Sequence, residues 1–248
     1  MFEIPEKIDR RRHYILMLDT ETCNTIQNGN GLDMSNVLFY DKGGMVIDTH
    51  GNIYHSFSFV NADIYLDEKE LMKSAYYAKK LPQYEADLKA GTRQLATTKT
   101  IRRHVCEVIK AFNIKEVCAH NARFDKNALD TTQRWVTKSK YRYFLPYGIE
   151  WWDTMKMARD VICKMPTYQR FCERNNYLTK SGKYRVTAEI LYRFICGDNS
   201  FKECHTGLED VMIEKEILAY CFKQHKKMRK GLYEKEVKKN FFDLVNEL

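Results

Sequence analysis

The chain opens on an apolar run, residues 13 to 20 (HYILMLDT), with no helical periodicity, which predicts a buried strand. Residues 45 to 60 (MVIDTHGNIYHSFSFV) predict two strands joined by a turn at His50, Gly51 and Asn52, so a three-stranded meander follows. From 61 to 97 the pattern turns helical and rich in Tyr and Lys, broken at Pro82 and Gly91, which reads as an insertion outside the sheet. Ile101, Val105, Val108, Ile109 and Phe112 then recur at helical spacing. EVCAH (116 to 120) is a short strand and a second helix runs from about 122 to 135. IEWW is a last strand, DTMKMARDVICK a helix, and two or three further helices fill the chain to residue 225. Beyond a basic cluster, KQHKKMRKG, the residues Val237, Phe241, Leu244 and Leu248 share one helical face. That stripe fits a terminal helix docked on the domain or one that binds a partner.

Composition narrows this to one large domain, residues 1 to 225, with a basic helical extension over 226 to 248. The 248 residues are 44% hydrophobic, enough for a full core, and a formal charge of +8 favours a polyanionic partner such as nucleic acid. The first residues lack the apolar centre of a signal peptide, and no run approaches the roughly 20 residues that span a bilayer, so a soluble, cytoplasmic protein is expected. The eight cysteines are scattered without a CxxC pair, which argues for free thiols in a reducing compartment rather than zinc or disulfides.

Three short stretches carry chemistry. The first strand ends on Asp19 and Glu21, and residues two apart in a strand point to the same face. Two anions so placed repel unless a cation neutralises them, and an oxygen-only pair suits Mg²⁺ or Mn²⁺ better than zinc. In AHNARFD, Asn121 is placed to cap the helix that follows, and Asp125 lies one turn further on the same face. In HTGLED, Thr206 and Glu209 have capping-box spacing, which leaves His205 on the loop before the helix and Asp210 in its first turn. Each stretch alone has an ordinary structural explanation: a solvated strand end, an acid favoured by the helix dipole, a helix cap.

Their joint order, D-x-E, then N-x-x-F-D, then H-x-x-x-x-D, resembles the three motifs of the DEDDh 3′-to-5′ exonucleases, a family that includes polymerase proofreading subunits. WWDTMKMAR between the second and third motifs adds to the likeness, which covers roughly residues 13 to 225; one departure is Gly207, where the family more often has Ala. The resemblance implies an α/β, ribonuclease-H-like fold, a mixed central sheet of three antiparallel strands plus parallel strands, flanked by helices. It makes Asp19, Glu21, Asp125 and Asp210 ligands of two divalent cations, Mg²⁺ or Mn²⁺, and His205 the general base. It also assigns Thr22, Asn121 and Phe124 to the terminal nucleotide.

The implied activity is 3′-to-5′ hydrolysis of DNA, favouring single-stranded 3′ ends and releasing nucleoside 5′-monophosphates. The alternatives are the same chemistry on RNA, or a nucleic-acid-binding module that has kept the fold without catalysis. Basic residues interleaved with aromatics suit single strands: Lys79 and Lys80 beside Tyr76 and Tyr77, and Lys138, Lys140 and Arg142 among Tyr141, Tyr143 and Phe144. The same clusters also fit ordinary solvated loops. No polymerase domain fits in the chain, and the terminal helix leaves open a polymerase or another replication or repair partner. Compact DNA-processing enzymes of this kind are frequent in bacteria and their phages.

Overall fold

A computed structural model describes residues 2–24, 26–28, 31–33, 36–73, 75 and 78–235. Its strands are β1 (Ile15–Cys23), β2 (Ile26–Asn28), β3 (Gly31–Asp33), β4 (Leu38–Ile47), β5 (Ile53–Asn61), β6 (Gln94–Ala96), β7 (Glu116–Ala119) and β8 (Glu150–Asp153). Its α-helices are α1 (Ala62–Tyr65), α2 (Lys69–Met72), α3 (Leu81–Ala90), α4 (Thr98–Ala111), α5 (Ala122–Thr137), α6 (Thr154–Asp160), α7 (Pro166–Arg174), α8 (Ala188–Cys196) and α9 (Gly207–Lys223). Six strands form one sheet in the order β6-β5-β4-β1-β7-β8, while β2 and β3 pair as a small separate ribbon. The meander β1-β4-β5 is antiparallel, and β7 and β8 continue it parallel to β1. This is the mixed sheet flanked by helices of a ribonuclease-H-like fold.

The two faces of β1 bury different cores. Leu16 and Leu18 join Val105, Val108, Ala128 and Leu129 beneath α4 and α5, and Ile15 and Met17 join Met157, Leu191, Val211 and Ile217 beneath α6, α8 and α9. Alternate residues point to opposite faces, so an apolar run without polar alternation is what a strand covered on both sides requires. Asp19 and Glu21 continue the face of Ile15 and Met17, toward α9, while Thr20 faces α5. Register then sets their neighbours: Asp19 lies opposite Gly43, Thr20 opposite Lys42 and Glu21 opposite Asp41, with an irregularity between Glu21 and Thr22. Bulges next to active sites re-aim side chains at strand ends.

Two expectations need correction. Strand β4 begins at Leu38 rather than Met45, because the charged segment Asp41-Lys42-Gly43-Gly44 is buried within it. The insertion over 61 to 97 is not wholly outside the sheet: Gln94–Ala96 pairs in parallel with Phe59–Asn61 and forms the edge. That edge holds Arg93, whose guanidinium is almost fully buried and reaches Asp41 (3.2 Å), Ser58 (2.8 Å), Asp87 (3.0 Å) and Glu209 (2.6 Å). Arg93 therefore ties β4, β5, α3 and α9 together.

The opposite edge is covered by the chain after α9. Leu232 donates to the Trp151 carbonyl (2.7 Å), Asp153 to the Lys230 carbonyl (2.9 Å), and Arg229 forms a fork with Asp160 (2.7 and 2.9 Å). Covering an edge strand removes a template for unwanted pairing. The stripe Val237, Phe241, Leu244 and Leu248 lies outside the described residues, as does Tyr77. All eight cysteines are free thiols, and no described helix is long and apolar enough to cross a membrane.

Removing one member of a buried ion pair leaves the other charge without compensation, at about 3–5 kcal/mol. Arg93→Met should lower the unfolding free energy by that order in a urea titration. Combined with Asp41→Asn, the loss should fall short of the sum of the two single changes, because the pair interacts directly.

Candidate active site

The C-terminal end of β1, the N-terminus of α5 and the N-terminus of α9 converge, and with them the three sequence stretches. Ligands of open α/β sheets bind outside the carboxyl ends of the strands, which is where these residues lie. Helix α9 is brought there by an unusually close approach. A Cβ on Gly207 would lie 2.5 Å from the Gly43 backbone nitrogen, and one on Gly43 would overlap the Gly207 carbonyl group. Only two glycines permit that contact.

The beginning of α9 is not closed by the capping box expected for it. Thr206 and Glu209 do meet, side chain to side chain (2.7 Å), but no side chain of the N-cap residue binds the helix backbone. The Gly207 N–H instead donates to Asp41 Oδ2 from β4 (2.8 Å), and the His205 N–H donates to Asp210 Oδ1 (3.2 Å). His205 itself has a left-handed backbone (φ 54°), a turn that holds its ring beside Asp210. Asn121 likewise does not cap α5 with its side chain. It too is left-handed (φ 66°), and its N–H donates to Asp153 Oδ1 (3.1 Å), which also caps α6 through Met155 N–H (2.9 Å). The Asn121 side chain is thereby left exposed.

Asp125 is buried and accepts from Thr20 Oγ1 (2.9 Å), which anchors the first turn of α5 to the end of β1. Glu21, His205 and Asp210 offer ligand atoms that lie within 4.8 Å of one another, and Glu189, Glu203 and His205 form a second such group on the outer side. Glu214, one turn beyond Asp210 on α9, is a further buried acid and accepts from the His120 N–H (3.3 Å).

Such crowding resists ionisation. Burial, with Glu214, Asp125, Asp210 and Glu21 nearby, pushes Asp19 well above the carboxylate range, and burial with Asp210 and Asp41 does the same to Glu21. Burial raises Asp125 to about 7 against the opposing pull of Thr20 and Lys42, Asp210 to about 8, and Glu203 to about 7. Burial also lowers His205, so its imidazole is neutral near pH 7 and able to accept a proton.

The donor set fits a hard divalent cation: several carboxylate oxygens that raise one another's pKa, without thiolates among them. One positive charge is built in. Lys42 is fully buried on the α5 side, its Nζ has no hydrogen-bond partner among the described residues, and burial lowers its pKa to about 7 while Asp125, Asp19 and Asp41 pull it up.

The substrate candidates divide. Thr22 is buried at the strand irregularity, Phe124 packs partly on the core, and Lys80 is near enough to His205 to disfavour its protonation. In the second basic and aromatic cluster, Phe144 is a core residue, while Lys126 and Arg134 lie 5.6 and 5.1 Å from the ring centre of Tyr143. Sequence reasoning missed Asp41, Lys42, Glu203 and Glu214. Only Glu214 had a visible signal, four residues after Asp210 on one helical face.

No protein-family model matches the chain, and no curated protein matches it by sequence. Solved structures do. One is a 3′-exonuclease described in 3′-end-specific recognition of a histone mRNA stem-loop, 14% identical, with a TM-score of 0.53 over 88% of this chain and 85% of that one. Another is the nuclease domain of 3′hExo, described as a DEDDh family member bound to rAMP, also 14% identical, with a TM-score of 0.52 over 88% of this chain and 96% of that one. The fold is that of the DEDDh 3′-exonucleases. The motif resemblance and the backbone likeness thus coincide over most of the chain.

Two outcomes are expected. Gly207→Ala, which restores the residue more frequent in the resembled family, should cost about 1–3 kcal/mol because the Gly43 backbone must give way. In the metal-free protein, each carboxyl raised by burial contributes stability that is present below about pH 4 and lost as pH rises through its folded value of about 7 to 8. The stabilisation by added Mn²⁺ in thermal melts should therefore grow between pH 5 and pH 8. His55, His104 and His120, lowered by burial, contribute alike with and without the cation and cancel from that difference.

Proposed function

We propose that this protein is a metal-dependent 3′-to-5′ exonuclease that hydrolyses DNA from its 3′ ends and releases nucleoside 5′-monophosphates. The observation that carries the reading is the convergence of Asp19, Glu21, Asp125, Asp210 and His205 on one sheet end, in a fold shared with DEDDh exonucleases. Asp19, Glu21, Asp125 and Asp210 would hold the divalent cations, which would supply charge stabilisation for the attacking and leaving oxygens of an in-line phosphodiester displacement.

The remaining steps belong to the chain. His205, neutral at working pH and tethered through its backbone to Asp210, takes the proton of the attacking water. The water oxygen forms the new bond to phosphorus, the bond to the O3′ of the penultimate nucleotide breaks, and that oxygen takes a proton from solvent to become the new 3′-hydroxyl. Thr22, the exposed Asn121 side chain and Phe124 hold the terminal nucleotide, with Lys80 and Tyr77 as further contacts to the strand. The same chemistry on RNA is a second reading, favoured by the likeness to an exonuclease solved with a histone mRNA stem-loop. A protein can separate the two only through contacts to the 2′-hydroxyl.

The test is a time course with Mg²⁺ or Mn²⁺ on single- and double-stranded DNA and RNA labelled at the 5′ end. A ladder that shortens from the 3′ end of DNA is expected, abolished by EDTA. Asp19→Ala should slow it by more than about 100-fold, since loss even of a residue that only supports a metal ligand costs about 10–100-fold. Equal turnover by that variant would remove the mechanism, and cleavage confined to RNA would select the second reading.

A further inference from the structure

A cleft of about 1160 Å³ runs from Asp19, His205 and Glu214 to the connection between α7 and α8. Its floor is acidic and its far wall is basic: Arg159 of α6 and Lys180, Lys183 and Arg185 of the connection line it, all exposed. None of these four has an acidic partner among the described residues. Two other cations on the same wall, Lys164 and Arg229, are both turned to Asp160, which offsets one of their two charges. Three of the four, Lys180, Lys183 and Arg185, therefore stand on one short stretch of chain.

That stretch is pre-shaped. Residues Leu178 and Tyr184 form an antiparallel bridge, Thr179 N–H donates to the Lys183 carbonyl (2.8 Å), Gly182 N–H donates to the Thr179 carbonyl (2.9 Å), and Arg185 Nε donates to the Leu178 carbonyl (3.2 Å). The hairpin is also bolted to the site. His120, directly after β7, has Nε2 at 2.6 Å from the Val186 carbonyl, so that nitrogen carries the proton, while Nδ1 accepts from Thr154 Oγ1 (2.9 Å). The Tyr168 hydroxyl donates to the Arg185 carbonyl (2.5 Å). Two unpaired lysines on a rigid turn, beside the partly exposed Tyr184 ring, match what a nucleic-acid strand offers: phosphates in succession and bases that stack.

We propose that this cleft is the track of the single strand whose 3′ end reaches the carboxylates, with Lys180, Lys183, Arg159 and Arg185 gripping phosphates upstream of the scissile bond. The assignment rests on the exonuclease reading above. It adds where the uncleaved strand lies and which residues discriminate a long substrate from a mononucleotide. The acidic floor repels every phosphate that no cation meets, so the chain upstream must find positive charge close by, and among the walls of this cleft the hairpin side supplies it.

The test pairs Lys180→Gln/Lys183→Gln with the wild type. Neither lysine side chain makes a hydrogen bond within the described fold, and unchanged melting would exclude a folding defect. Binding of a labelled single-stranded oligonucleotide is followed by anisotropy in Ca²⁺ across a salt series. Hydrolysis is followed on the same oligonucleotide and on the p-nitrophenyl ester of thymidine 5′-monophosphate. The variant should bind about tenfold more weakly, with a salt dependence shallower by about 1.4 in log–log slope for two lost phosphate contacts. Its kcat/KM for the oligonucleotide relative to the ester should fall by a similar factor. Unchanged binding and salt slope overturn the track, and a blunt duplex that competes as well as the single strand overturns its single-strand character. Failure of the wild type to hydrolyse either substrate, with the binding loss still present, would overturn the exonuclease reading while the cleft kept its ligand.

Discussion

The geometry of the candidate site depends on the backbone contact between Gly43 and Gly207. Strand β4 and helix α9 approach so closely there that neither position has room for a methyl group without movement. The contact sets the depth of α9 against the sheet, and with it the position of Asp210 and of the loop that carries His205. Its polar accompaniment is equally specific. Asp41, opposite Glu21 on β4, accepts the Gly207 N–H and the Tyr84 hydroxyl and is neutralised by Arg93, which also reaches Glu209. A helix N-terminus carries partial positive charge, so directing one at a buried aspartate relieves both groups. The arrangement also spares Asp210 from capping α9, leaving it free to bind the His205 N–H and face Glu21.

Charge at the site is arranged in shells of opposite sign. Asp19, Glu21, Asp125, Asp210 and Glu214 occupy the centre, where burial makes ionisation of all of them costly. Lys42 offsets part of that from behind, and Phe144 covers it at 5.5 Å from the ring centre, so its charge acts on the acids without reaching the cleft. The exposed cations stand further out, on α6 and on the hairpin before α8. A positive centre would hold phosphates without needing a cation. A negative centre inside a basic margin would accept a phosphate only when cations accompany it, so under the proposed function substrate entry would be coupled to metal occupancy.

Much of this was legible in the sequence, and the limits have physical causes. The meander and helix α4 follow from apolar patterning, because their buried residues share one face, whereas α9 buries residues all round. The five residues of the three motifs were singled out by their joint order, through the family resemblance, because each stretch alone reads as an ordinary element end. Strand β6 was not: three residues with a polar start, Gln94–Ala96, are placed by pairing with β5, and pairing leaves no local trace. The buried Asp41-Lys42 pair was hidden for a related reason, since charged residues inside a strand read as a loop until Arg93, more than fifty positions away, is known to face one of them. The two expected helix caps failed for different reasons. Asp41, from β4, takes the Gly207 N–H at the head of α9, and Asn121 is left-handed rather than in the extended conformation from which an N-cap side chain reaches the helix.

The departure at Gly207 becomes intelligible through its partner. An alanine at this position requires the opposing strand to stand a few tenths of an ångström or more further away, and then the Asp41–Gly207 hydrogen bond would lengthen with it. With glycine on both sides the strand and helix close fully, while Lys42, between Asp41 and Gly43, points to the opposite face and is buried beneath α5 and Phe144. A buried lysine without a hydrogen bond is tolerable only where several carboxylates surround it, and its place in the strand is the one from which Asp125, Asp19 and Asp41 all act on it. The glycine pair, the internal lysine and the strongly raised carboxylates are therefore linked through one strand: close packing of α9 concentrates negative charge at the sheet end, and that charge stabilises the lysine buried on the opposite face of β4.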